Sequence, residues 1–141
     1  MAEEIVNKVA QSKLQQVDFE KWLLDVELTT FDLKDCLWQG MVLKEKDFRT
    51  YVKEHDWSQY EGKYVGVHCS EDAILQPWAY MLVTASLAPF AKKVFKSNGD
   101  DLKSKVLIDL IQEKHLTDYK DERLIVKGCS DITHIESVLM A

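Results

Sequence analysis

Lys63-Tyr64-Val65-Gly66-Val67-His68-Cys69-Ser70 is the stretch on which the fold turns. Its β-branched and aromatic centre follows the turn signal Glu61-Gly62, which predicts a strand over Lys63–His68 running straight into Cys-Ser. Sixty residues on, Arg123-Leu124-Ile125-Val126-Lys127 repeats the arrangement as a short, continuously apolar strand of the kind buried on both faces of a sheet, leading through Gly128 into Cys129-Ser130.

Each of these strands follows a helix. Phe48, Tyr51 and Val52 lie at i, i+3 and i+4 in a helix expected over about Glu45–Glu54, with Glu45 and Arg49 as a supporting exposed pair. Leu102, Val106, Leu107, Leu110 and Ile111 mark another that reaches about Lys114, with Asp100 or Asp101 as N-cap after the turn Ser97-Asn98-Gly99. Between them, Pro77–Leu87 is apolar almost all round, and Pro77 suits a first helical turn; it should be the most buried helix. Weaker signals give strands at Val26–Phe31 and Val94-Phe95 and an amphipathic stretch near Ile5–Leu14. Strands alternating with helices predict a single α/β domain with a parallel or mixed sheet flanked by helices.

The same order occurs twice, in units of about 45–95 and 101–141. Each passes from an amphipathic helix through a histidine (His55, His115) and a polar turn with Tyr60 or Tyr119 to an apolar strand and Cys-Ser. A duplicated helix-strand-Cys-Ser unit accounts for this, and so would two ordinary αβ units that end alike. A true duplication would set both strands parallel in one sheet, with Cys69 and Cys129 within roughly 5–10 Å of each other when zero or one strand intervenes. The second unit stops twelve residues after its cysteine, in the apolar pattern Val138-Leu139-Met140-Ala141. The C-terminal segment from Asp131 is therefore expected to be poorly anchored or to order only against a second copy, making a homo-oligomer. His55 and His115 are expected to close helix C-termini.

A chain of 141 residues suits one domain, and 46% apolar with 30% charged residues suits a packed core. The net charge of −6 is spread along the chain without a Lys/Arg stripe, so the electrostatic footprint of nucleic-acid binding is missing. The acidic start Met1-Ala2-Glu3-Glu4 fits no signal or transit peptide and points to the cytoplasm. Ala73 to Ala91 carries no charge over nineteen positions. Pro77 and Pro89, however, confine a helix there to roughly 16 Å, against a hydrocarbon core near 30 Å, so a core helix is expected and no membrane contact.

Cys36, Cys69 and Cys129 are expected to be reduced thiols. Ligands of open α/β sheets sit beyond the carboxyl ends of the strands, which makes Cys69, Ser70, Asp72, Cys129 and Ser130 the candidate ligand-binding residues. His68, Cys69 and Cys129, joined by His134 or Asp72, are of ligand types suited to zinc or iron. Adjacent strand residues point to opposite faces, though, so His68 and Cys69 share an ion only if the chain turns between them. A cysteine nucleophile is disfavoured by Glu71, Asp72 and Asp131, whose charges raise a neighbouring thiol pKa. The bland alternative makes both cysteines small space-fillers, with Trp57, Trp78 and Tyr80 packing and Trp38 partly exposed. The resulting expectation is a non-catalytic α/β binding module, taking a metal or small ligand at the Cys-Ser loops. The rival is a small enzyme with a Cys/His/carboxylate site at the strand ends.

The blocks Lys44-Glu45-Lys46-Asp47-Phe48-Arg49, His55-Asp56-Trp57-Ser58-Gln59-Tyr60, Cys69-Ser70-Glu71-Asp72-Ala73-Ile74, Pro77-Trp78-Ala79-Tyr80-Met81-Leu82 and Lys127-Gly128-Cys129-Ser130 resemble a bacterial family known as domain of unknown function 2480. The resemblance runs from Val6 to Ser130 and implies no activity. The family pattern continues through a further helix to a last Cys-Ser block. This chain lacks that block, and its stretch after Ser130 departs from the proline-bearing helix start of the pattern.

Overall fold

A computed structural model describes residues 14–114 and 116–141; His115 and, Leu14 apart, the stretch Ile5–Leu14 lie outside the described residues. The chain runs β1 (Gln15–Asp18), α1 (Phe19–Leu24), β2 (Leu28–Asp32), α2 (Glu45–Glu54), β3 (Tyr64–His68) and α3 (Pro77–Leu87). It continues through β4 (Lys93–Lys96), α4 (Leu102–Glu113), β5 (Leu124–Lys127) and α5 (Ile135–Leu139). Among the described residues every pairing between these strands is parallel, so the chain is an α/β domain with helices on its sheets.

Strand β3 is the centre of a three-stranded sheet, β2-β3-β4. Period-two alternation sends Val65 and Val67 to one face, where they pack with Phe31, Leu33, Phe48, Val52, Val83 and Leu87 beneath α2 and α3. Tyr64 goes to the other face, against Leu102, Val106 and Leu110 of α4. The opposite side of α4 then buries Leu107 and Ile111 against Val17, Phe19, Ile132 and Val138. Each fully buried aliphatic side chain contributes roughly 1.5–3 kcal/mol, so the helix packed on two sides carries the most.

That helix is α4, not Pro77–Leu87 as the all-round apolar pattern had predicted. α3 covers a single sheet face, so it buries Ala79, Val83 and Leu87 but leaves Met81 72% exposed. Strand β2 begins two residues later than Val26 because the Val26 N–H is still tied to the Leu23 carbonyl at the end of α1. His55 does sit at the end of α2, with its backbone N–H on the Tyr51 carbonyl. Its ring, however, packs among Phe31, Tyr51, Trp57 and Tyr60. The indole of Trp57 instead reaches back to the Val52 carbonyl (2.7 Å).

The second unit is built differently from what its pattern predicts. β5 pairs only with β1 among the described residues, in a separate two-stranded sheet. It is therefore not buried on both faces, and Leu124 is 46% exposed. Since β3 and β5 do not share a sheet, the topology gives the proposed duplication no support. The C-terminal segment is anchored at Val138, which is buried with Ile132 against α4, while Leu139 and Met140 face outward. No helix among the described residues is long and apolar enough to cross a membrane.

Candidate functional site

Parallel pairing brings the carboxyl ends of β2 and β3 together, with Asp32 in register with His68. Asp32 Oδ1 accepts the Lys34 N–H (2.9 Å), capping the 3-10 turn Leu33–Cys36, and also the Ser70 N–H (3.1 Å). Burial works to raise the Asp32 pKa, but hydrogen bonds from the Ser70 hydroxyl and from the Lys34 and Ser70 amides, with His68 nearby, outweigh it and hold the carboxyl below its ordinary value. Ser70 thus fastens the first Cys-Ser loop to β2.

Beside it, Cys69 packs on the α2/α3 side, with its thiol directed to the Glu71 carbonyl (3.5 Å). Cys36 is buried in the same cluster, and burial, followed by the neighbouring Asp35, Cys69 and Asp32, pushes its thiol up to about 12. Cys36 is therefore no nucleophile near neutral pH. A Ser-His-Asp relay would need the histidine between hydroxyl and carboxylate, whereas Ser70 contacts Asp32 directly. Asp72 is exposed in the loop that follows.

The second Cys-Ser loop is built differently. Gly128 has φ +78°, and a Cβ there would lie 2.5 Å from the Glu20 nitrogen and 2.9 Å from Asp18 Oδ1. The loop is thus pressed onto the first turn of α1, where Asp18 accepts the Glu20 and Lys21 amides. Beyond the glycine opens a pocket of about 290 Å³. Leu23, Leu28 and Ile132 give it an apolar wall, and Glu20, Lys103, Ser130 and Asp131 a polar rim. Cys129 turns away from this opening to pack with the Val17–Ile111 cluster.

The structure therefore divides the expected residues. His68, Cys69 and Ser70 lie at the β2-β3 edge, Ser130 lines the pocket, and Cys69 and Cys129 belong to different clusters. His134 stands apart in left-handed conformation at the start of α5. Among the described residues no group of three or more His, Cys, Asp or Glu side chains is gathered as metal ligands would be. Asp32, Glu20 and Lys103 escaped the sequence reading. Asp32 could have been found as the polar residue ending an alternating strand, but Glu20 and Lys103 reach the pocket from elements distant in sequence and carry no local signal.

Over residues 3–141 the chain matches the family described as protein of unknown function, DUF2480, and it belongs to that family. Neither a curated protein nor a solved structure matches it.

Proposed function

We propose that this DUF2480 member is a non-catalytic binding module that takes a small ligand at its second Cys-Ser loop. The observation that carries the proposal is the pocket of about 290 Å³ into which Ser130 and Asp131 open. Its size lies at the small end for organic ligands, and an apolar wall with a few convergent polar groups is the usual make-up of such sites. The fitting ligand has an apolar body against Leu23, Leu28 and Ile132 and a polar end that meets Ser130 and the charged rim. The three free cysteines are in keeping with a reducing, cytoplasmic setting. Self-association through the C-terminal segment is part of the same proposal, because Leu139 and Leu124 line a second, apolar recess that the described residues leave open.

A fragment screen followed by amide chemical shifts tests the site. Binders should move Gly128, Ser130 and Ile132 saturably, and the paired change Lys103→Ala and Ser130→Ala should weaken them about tenfold. Binders that ignore both substitutions, or a screen in which none saturates at this loop, would overturn the proposal. Elemental analysis of protein purified without added metal belongs to the same experiment, since near-stoichiometric zinc or iron would replace the small-ligand reading with a metal one.

A further inference from the structure

The turn Trp38-Gln39-Gly40-Met41 lifts an indole to the surface just after the 3-10 turn Leu33–Cys36. Gln39 (φ 53°) and Gly40 (φ 68°) are both left-handed, and Trp38 and Val42 exchange backbone hydrogen bonds of 2.7 and 3.3 Å, closing a small hairpin. Trp38 is left 44% exposed, and the Lys44 ammonium stands 3.7 Å from the centre of its ring. Both residues line a recess of about 240 Å³ together with Asp35, Asp47 and Tyr51. The ion pairs among the described residues include neither Asp35 nor Asp47, and Lys44 sits on the ring instead of on either carboxylate.

The recess thus holds an aromatic face already engaged by the Lys44 ammonium group, and two carboxylates, Asp35 and Asp47, on the same lining. An exposed cation–π contact is weak, and a primary ammonium gains more from water than from the ring. A quaternary ammonium has no N–H groups to keep hydrated, and its diffuse charge and methyl surface suit an aromatic face next to carboxylates. We propose that this recess binds a small organic quaternary ammonium ion, which displaces Lys44 from Trp38 and is balanced by Asp35 and Asp47. The site is separate from the second Cys-Ser loop and stands or falls independently of it.

The test is titration of the isotope-labelled full chain with tetramethylammonium chloride, against sodium chloride at equal ionic strength. The Trp38 indole N–H should shift saturably with the first salt only. Lys44→Gln should tighten binding about threefold by removing the internal competitor, and Asp35→Asn with Asp47→Asn should weaken it about tenfold. Trp38→Leu should abolish the accompanying shifts of the Asp35 and Tyr51 amides. Equal shifts in the two salts, unchanged affinity in the Asn pair, or no tightening in Lys44→Gln would overturn the proposal. The Asn pair keeps both side-chain shapes at exposed positions, so a loss of binding there is not a loss of fold.

Discussion

Asp32 gathers two strands with a single carboxylate, and its chemistry explains why the first Cys-Ser loop is held in place. Two amides and the Ser70 hydroxyl donate to it, all favouring its charged form. Replacing it with asparagine keeps the shape and one acceptor oxygen but loses the charge, and should cost about 1–2 kcal/mol at neutral pH, solvent exposure tempering the effect. The pH dependence has a definite sign. The folded-state pKa lies below the ordinary value of 3.8, so the stabilisation is fully present above that value and disappears as pH falls through the depressed one. Urea unfolding of both proteins at neutral pH and near pH 2 should accordingly show a gap that shrinks in acid. A gap of equal size at both ends would mean that the Asp32 charge does no stabilising work.

Between α1 and the loop after β5, a glycine controls how closely two elements approach. Gly128→Ala combines left-handed strain with a Cβ 2.5 Å from a backbone nitrogen, whereas a Cβ at Gly62, φ +71°, would meet nothing within 4 Å among the described residues. Gly62→Ala should therefore cost only about 1 kcal/mol of strain, and Gly128→Ala at least about 3 kcal/mol, because the loop must lift away from α1. Thermal unfolding of the pair checks this; equal losses would mean that the loop does not press on the helix as described. The same contrast marks what could be read in advance. The limits of α2 and α3 follow from local signals, Phe48 and Val52 at helical spacing and Pro77 in the first turn, and the structure places both helices at those residues. β3 is found one residue inside its expected start for the same reason. How deeply an element is buried is set instead by what stacks on it. That is why Leu124–Lys127 has the composition of a central strand but lies in a two-stranded sheet, and why α4, with a less uniform pattern than α3, is the helix packed on two sides. The candidate site was legible to the same extent. Ser130 could be placed at a strand end by its motif, but not in a pocket whose other walls come from α1 and α4.

Across the whole molecule, the apolar surface is uneven. Val138 is sealed into the cluster under α4, yet the two residues after it turn outward, Met140 being 86% exposed, and Leu124 and Val126 on β5 lie open beside Leu139. Exposed apolar side chains scattered singly are ordinary, but here Leu124, Val126 and Leu139 border one recess of about 290 Å³ lined almost wholly by apolar residues. In the proposed self-association a second copy covers it through a two-fold contact, in which the same patch is used on both copies. Few residues are involved compared with the roughly 1,200–2,000 Å² buried in stable interfaces, so the association should be weak and depend on concentration. Light scattering over a dilution series should show a mass rising from 16.3 kDa towards twice that value. Leu139→Ser with Met140→Ser should hold the chain at the monomer mass while leaving its unfolding temperature nearly unchanged, because both side chains are exposed in the single chain. Val138→Ala should do the reverse, lowering the unfolding temperature through a core cavity without removing the exposed contacts. A constant monomer mass for the unmodified chain at every concentration, or a dimer indifferent to the Leu139 and Met140 changes, would show that this face meets something other than a second copy.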